Sequence, residues 1–139
     1  VSTEPVHVLV GLIANAEGRW LVNCRRPGTH MAGCWEFPGG KRRAGESRLE
    51  ALTRELDEEL GIAVLEAEPF VDLVHDYADR RVRLDVWLVR DFRGEISARE
   101  GQTCRWVGVD ALADIGLLEA DRPIVEALQR RAVSSSLTR

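Results

Sequence analysis

Residues 27–46, PGTHMAGCWEFPGGKRRAGE, hold five glycines and two prolines and run directly into SRLEALTRELDEELG at 47–61. So broken a stretch excludes a long element, whereas the segment that follows is the clearest helix in the chain. Ser47 with Glu50 three residues later fits a capping box, and Gly61 fits a C-cap. Leu49, Leu52, Leu56 and Leu60 recur at three- and four-residue steps as one apolar stripe. The fold must therefore seat a long loop, with at most a short strand near Trp35–Phe37, over the start of an amphipathic helix.

The flanking segments read as strands. PVHVLVGLIAN at 5–15 is a nearly unbroken apolar run, expected to be buried on both faces, and WLVNCRR at 20–26 is expected to return beside it as a hairpin. IAVLEAEPFVDLVHDYA and RVRLDVWLVRDF are strand-like and meet at a turn over Ala78, Asp79 and Arg80. In the second, Val82, Leu84, Val86 and Leu88 alternate with Arg83, Asp85 and Trp87, which predicts a half-buried antiparallel strand. TCRWVGV at 103–109 is a further short strand, and RPIVEALQRRA at 122–132 is a closing amphipathic helix with Pro123 in its first turn. This order predicts a mixed α+β sandwich rather than a strictly alternating parallel fold.

The 139 residues suit one domain, expected over 1–132, with 133–139 a polar, frayed tail or the start of a linker to a C-terminal domain absent here. Val1 as first residue leaves open whether a leader was removed. No apolar run approaches a membrane span, so no membrane partner is expected and the cytoplasm is the expected location. Cys24, Cys34 and Cys104 are odd in number and widely spaced, and His7, His30 and His75 lack metal-ligand spacing, so neither a disulfide framework nor a zinc site is expected. The net charge of −4 gives no long-range attraction for polymeric nucleic acid. A phosphate ligand would need a cationic mediator, which a divalent metal supplies.

On a helix, Glu55, Glu58 and Glu59 stand at i, i+3 and i+4 and share one arc with Ala51, beside the leucine stripe. Each like-charge pair costs the helix roughly 0.2–0.5 kcal/mol, and the C-terminal end of the helix dipole disfavours them further. One reading is a solvated acidic face. The other is a cation site, because Mg²⁺ takes oxygen ligands from a few carboxylates together with substrate phosphates. The Gly39–Gly40 backbone is free to approach that arc closely.

The spacing resembles a known pattern. Gly40, five residues, Glu46, seven residues and then Arg54-Glu55-Leu56-Asp57-Glu58-Glu59-Leu60-Gly61-Ile62 match the Nudix box G-x5-E-x7-R-E-U-x-E-E-x-G-U, with U bulky and aliphatic, at all nine fixed positions. The resemblance to Nudix hydrolases implies an α/β/α sandwich with a mixed sheet and hydrolysis of nucleoside diphosphates linked to another group, with Mg²⁺ or Mn²⁺. Carried over, Glu55, Glu58 and Glu59 are metal-binding or catalytic carboxylates and the Gly39 carbonyl is a further ligand. Arg54 orients a motif glutamate, and Gly40 and Glu46 support the loop and helix. Spacing leaves open which glutamate is the general base.

HMAGCWEFPGGK at 30–41 is similar to the MutT type, whose members clear oxidised guanine nucleotides such as 8-oxo-dGTP from the nucleotide pool. REGQTCRW at 99–106 is similar too, and makes Glu100 a further metal ligand; its alternative is an ordinary loop glutamate. The resemblance sets Arg25, Phe37 and Arg80 around the nucleotide, the arginines otherwise being solvated, and His30 either at the entrance or in a loop. One departure matters. Where MutT-type enzymes have an asparagine reading the purine edge, this chain has Asp121. An ionised aspartate only accepts hydrogen bonds, while a protonated one also donates. Asp here resembles Nudix enzymes acting on CTP and modified cytosine nucleotides; its alternative is a cap on the last helix. The expected reaction yields nucleoside monophosphate and pyrophosphate, with 8-oxo-dGTP the leading substrate. The alternatives are CTP, dCTP or 5-substituted dCTP, and a non-catalytic nucleotide-binding or protein-interaction module.

Overall fold

The computed structural model describes residues 4–29 and 31–137, so His30 lies outside the described residues. The elements are β1 (Val6–Leu12), β2 (Trp20–Cys24), β3 (Trp35–Glu36), β4 (Gly39–Lys41), α1 (Arg48–Leu60), β5 (Ala63–Asp76), β6 (Arg81–Arg93), β7 (Thr103–Val107) and α2 (Arg122–Leu137). Short 3₁₀ turns at Leu112–Asp114 and Glu119–Asp121 precede α2.

Two sheets form, one of four strands in the order β4-β1-β6-β5 and one of three in the order β3-β2-β7. β1 runs parallel to β6 and antiparallel to β4, so the larger sheet is mixed. Alternation along the strands then divides the core. Val10, Leu12, Val82, Leu84, Val86 and Leu88 pack with Ile124, Val125 and Leu128 of α2. Leu9 and Trp87, with Leu21 of the second sheet, pack with Leu52, Leu56 and Leu60 of α1. A helix thus covers each side, and the α+β sandwich stands as the sequence implies. Each fully buried leucine contributes roughly 1.5–3 kcal/mol.

α1 has the predicted ends. Ser47 accepts from the Glu50 N–H, Glu50 reaches back to the Ser47 N–H, and Gly61 closes the helix at φ 72°. Its start is also tied to the sheet. Arg48 donates to Asp85 through Nε and Nη2, both at 2.7 Å, while Trp87 Nε1 donates to the same carboxylate at 2.9 Å and His7 Nε2 lies 2.8 Å from it. Burial would raise the Asp85 pKa, but hydrogen bonds from Arg48, His7 and Trp87 outweigh it and bring it down to about 2.

Several expectations are corrected. β1 and β2 are not a hairpin ladder. They meet only at their connecting turn, where Leu21 N–H donates to the Ile13 carbonyl, and then enter different sheets. β4 and β6 occupy both edges of β1, which leaves neither for β2. β6 is not half-buried: Asp85 and Trp87 are 0% and 7% exposed, because α1 covers the face they occupy and donors satisfy the acid. Leu49 is 45% exposed and leaves the apolar stripe, where Ala51 is buried instead. β4 forms inside the segment read as loop. α2 runs on to Leu137, past the expected end at 132.

Candidate active site

The loop and α1 meet around one guanidinium. Arg54 donates to both oxygens of Glu46, at 2.5 and 2.9 Å, and to the Lys41 carbonyl at 3.0 Å. Its Nη1 reaches Glu55 at 2.9 Å and Glu58 at 3.2 Å. The Arg54 hydrogen bonds hold the Glu46 carboxyl down at about 2, with the Arg43 N–H assisting. Gly40 lies so close that a Cβ there would overlap the Glu55 carboxylate. Glu58 is the more open of the Arg54 partners and also stands 3.5 Å from Arg43.

Glu59 is held differently. It is 7% exposed, its Oε1 accepts from the Asn23 amide, and its Oε2 accepts from the Gly39 N–H at 3.1 Å. Its backbone carbonyl accepts from Gln102 Nε2 at 3.0 Å and from the Arg99 N–H at 3.1 Å. Burial pushes its carboxyl up to about 8, and the negative charges of Glu36, Glu100 and Glu55 add to this against the Gly39 hydrogen bond. Glu100, an exposed residue, lines the same cavity of about 250 Å³ as Glu59, Gly39 and Glu36.

Among the described residues no three acidic, histidine or cysteine side chains stand gathered as an ion site. Glu55 and Glu58 hang on Arg54, and Glu59 on Asn23 and Gly39. The donor set nevertheless suits a hard divalent cation. It is all oxygen, and the buried Glu59 faces negative neighbours that a cation would offset.

A second cavity, of about 380 Å³, opens between the sheets. Val8, Val10, Val82 and Leu84 line one wall, and Phe37, Leu118, Ala120 and Asp121 another. Arg25, Arg80, Lys41 and Tyr77 supply polar edges. All four residues expected around a nucleotide, Arg25, Phe37, Arg80 and Asp121, therefore face one space. Arg25 Nη1 lies 3.1 Å from both oxygens of Glu36, and the Arg80 guanidinium sits 5.7 Å from the centre of the Tyr77 ring. Asp121 is 5% exposed. It directly precedes α2, yet its carboxylate crosses to accept the Phe37 N–H at 3.2 Å. Burial pushes its pKa up to about 7; the nearby Glu36 adds to this, while the Phe37 N–H and Arg25 oppose it.

Asn23, Glu36 and Tyr77 were not singled out by the sequence. A faint signal existed for two of them: Asn23 is a lone amide inside an apolar strand, and Glu36 a lone acid between Trp35 and Phe37.

Comparison with known proteins places this geometry. The NUDIX domain family model matches residues 9–127. The chain is 34% identical to the 8-oxo-dGTP diphosphatase of Escherichia coli (strain K12) over 127 residues, which cover 91% of this chain and 98% of the relative. It is 36% identical to the CTP pyrophosphohydrolase of the same strain over 119 residues, covering 86% and 88%. The crystal structure of a MutT NUDIX hydrolase from Burkholderia pseudomallei superposes with a TM-score of 0.78 at 32% identity, covering 89% of this chain and 98% of that one. Family match, identity and fold agree with the complete motif around Arg54, and the chain belongs to the NUDIX domain family.

Proposed function

We propose that this chain hydrolyses a nucleoside triphosphate with water to nucleoside monophosphate and pyrophosphate, with Mg²⁺ as cofactor, Mn²⁺ as its substitute and 8-oxo-dGTP as leading substrate. The observation that carries the reading is the junction of the two cavities. Gly39, Arg25 and Glu36 line both, so a base lodged against Phe37 and Asp121 would leave its phosphates beside Glu59 and Glu100. A mostly apolar pocket with a few convergent polar groups is the usual form of a small-molecule site.

Glu55, Glu58, Glu59, Glu100 and the Gly39 carbonyl would hold the cation. When bound, it neutralises phosphate oxygens and lowers the pKa of a water. The chain's own residues do the remainder. Arg54 holds Glu55 and Glu58 in register with the loop, and one of these two carboxylates takes the proton of the attacking water. Arg25 and Arg80 donate to phosphate or base oxygens, and Phe37 supplies apolar contact for the base.

Asp121 chooses the base. With a carboxyl poised at about 7, it both donates and accepts near neutral pH, as the asparagine of MutT-type enzymes does, and so suits an oxidised purine. The second reading rests on the same residue. Ionised, it only accepts, which suits the exocyclic amine of cytosine and agrees with the similarity to a CTP pyrophosphohydrolase. A panel of nucleoside triphosphates with Mg²⁺, scored by kcat/KM, decides. Preference for 8-oxo-dGTP is expected, and a large preference for unmodified dCTP would overturn it.

A further inference from the structure

We propose that Asn23 is a positioning residue for Glu59, and that the Cys104 thiol fixes which way its amide points, so that Glu59 is aimed at a divalent cation by neutral groups alone. The inference rests on the cation reading above and concerns residues outside the motif.

Asn23 is 2% exposed and sits in the middle of the smaller sheet, on the strand that also carries the fully buried Val22. Burying an amide there is costly unless its hydrogen bonds are made. The register makes them. Cys104 of β7 and Glu36 of β3 lie directly across from Asn23 on its two sides. The Cys104 Sγ is 3.1 Å from Asn23 Oδ1, and Asn23 Nδ2 donates to Glu59 Oε1. The amide turns its NH₂ towards Glu59. Its oxygen is then left to a donor, and the thiol is that donor.

The contrast with Arg54 gives the arrangement its purpose. Glu55 and Glu58 are held by a cation, which offsets the charge they would offer a metal. Glu59 is held by an amide and a backbone N–H, both neutral, so it is oriented at both oxygens with no cation competing for it. Groups that orient metal ligands in this way typically change metal affinity or activity by about 10–100-fold when removed.

Mn²⁺ affinity without nucleotide, read by electron paramagnetic resonance, tests this beside steady-state kinetics and thermal melting. Asn23→Leu keeps the size and removes the amide. It is expected to weaken Mn²⁺ binding by about tenfold or more and to lower kcat at fixed Mg²⁺, with nucleotide KM changed by less than about twofold. Cys104→Ala is expected to weaken Mn²⁺ binding and Cys104→Ser, which keeps a donor, to restore it. Mn²⁺ affinity in folded Asn23→Leu equal to that of the parent overturns the proposal. If Asn23→Leu does not fold, equal affinity in the two Cys104 variants overturns it. Glu59→Gln separates the levels. Unchanged Mn²⁺ binding there overturns the cation reading and this proposal with it, whereas loss there with intact binding in Asn23→Leu overturns this proposal alone.

Discussion

Arg54 and Glu46 are joined by two hydrogen bonds across the loop-to-helix junction, Nε to Oε2 at 2.5 Å and Nη2 to Oε1 at 2.9 Å. The same guanidinium spans Glu55, Glu58 and the Lys41 carbonyl. A planar fork with five donors serves several acceptors at fixed angles, which the point charge of lysine does not. Arg54→Lys is therefore expected to lower kcat by about 10–100-fold while the protein still melts cooperatively. Arg54→Gln should lose more, since it leaves the glutamates facing one another without a cation. Circular dichroism melts alongside kinetics check both, and a fully active Arg54→Lys would contradict the hub.

Gly39 and Gly40 are adjacent yet should fail in different ways. A Cβ on Gly40 meets only the end of the Glu55 side chain, which can swing aside. Gly40→Ala is therefore expected to fold and to lose activity as Glu55 is displaced from Arg54. At Gly39, φ is 154° and a Cβ would overlap the Leu9 carbonyl in the neighbouring strand, where nothing can yield without separating β4 from β1. Gly39→Ala is expected to lower the melting temperature sharply, by well over the ~4–8 °C that 1 kcal/mol removes from a small domain. Melts of the two variants side by side check the contrast; similar melting temperatures would refute it.

Glu55→Gln and Glu58→Gln should each abolish most turnover, by about a hundredfold or more, without unfolding the protein. Both are partners of Arg54 rather than core residues, and each substitution removes like-charge repulsion on α1 worth a few tenths of a kcal/mol, roughly 0.2–0.5 per pair. Melting temperatures measured with a chelator should stay within a few degrees of the parent. Full activity in either variant would contradict the site.

What was legible in the sequence follows the range of the interactions. α1, its cap, its stop and the arc of glutamates were readable because everything that fixes them lies within a few residues. The Nudix box was readable because its spacing is itself a local geometry. Asn23 was not, since its meaning comes from Glu59, 36 positions away, and Cys104, 81 positions away. Asp85 read as outward-facing because alternation marks two faces but not what covers them, and Arg48 and α1 cover the second. The separation of β1 and β2 was hidden for a related reason. A parallel pairing of β1 with β6 outweighs the neighbourhood that a tight turn suggests.

Asp121 links stability to specificity through pH. Its folded pKa is about 7 against an ordinary 3.8, so between those values the folded state keeps a proton that the unfolded chain has lost. The stability from that proton is fully present below the ordinary value and is lost as pH rises to about 7, above which a buried charge must be carried. An asparagine in its place would carry no charge and could still accept the Phe37 N–H through its oxygen. The melting temperature of Asp121→Asn minus that of the parent should thus grow between about pH 4 and about pH 7 and then level off, at a gap equivalent to a few kcal/mol at most. A flat difference would mean the carboxyl titrates normally. Well above pH 7, where the parent carboxylate only accepts, the same variant should favour 8-oxo-dGTP over dCTP more than the parent does, by about tenfold or more in kcat/KM, since a paired donor and acceptor are worth roughly 1–3 kcal/mol of discrimination between bases. Unchanged selectivity at that pH would remove Asp121 from base recognition and leave it a buried acid that ties the start of α2 to the chain just after β3 at Phe37.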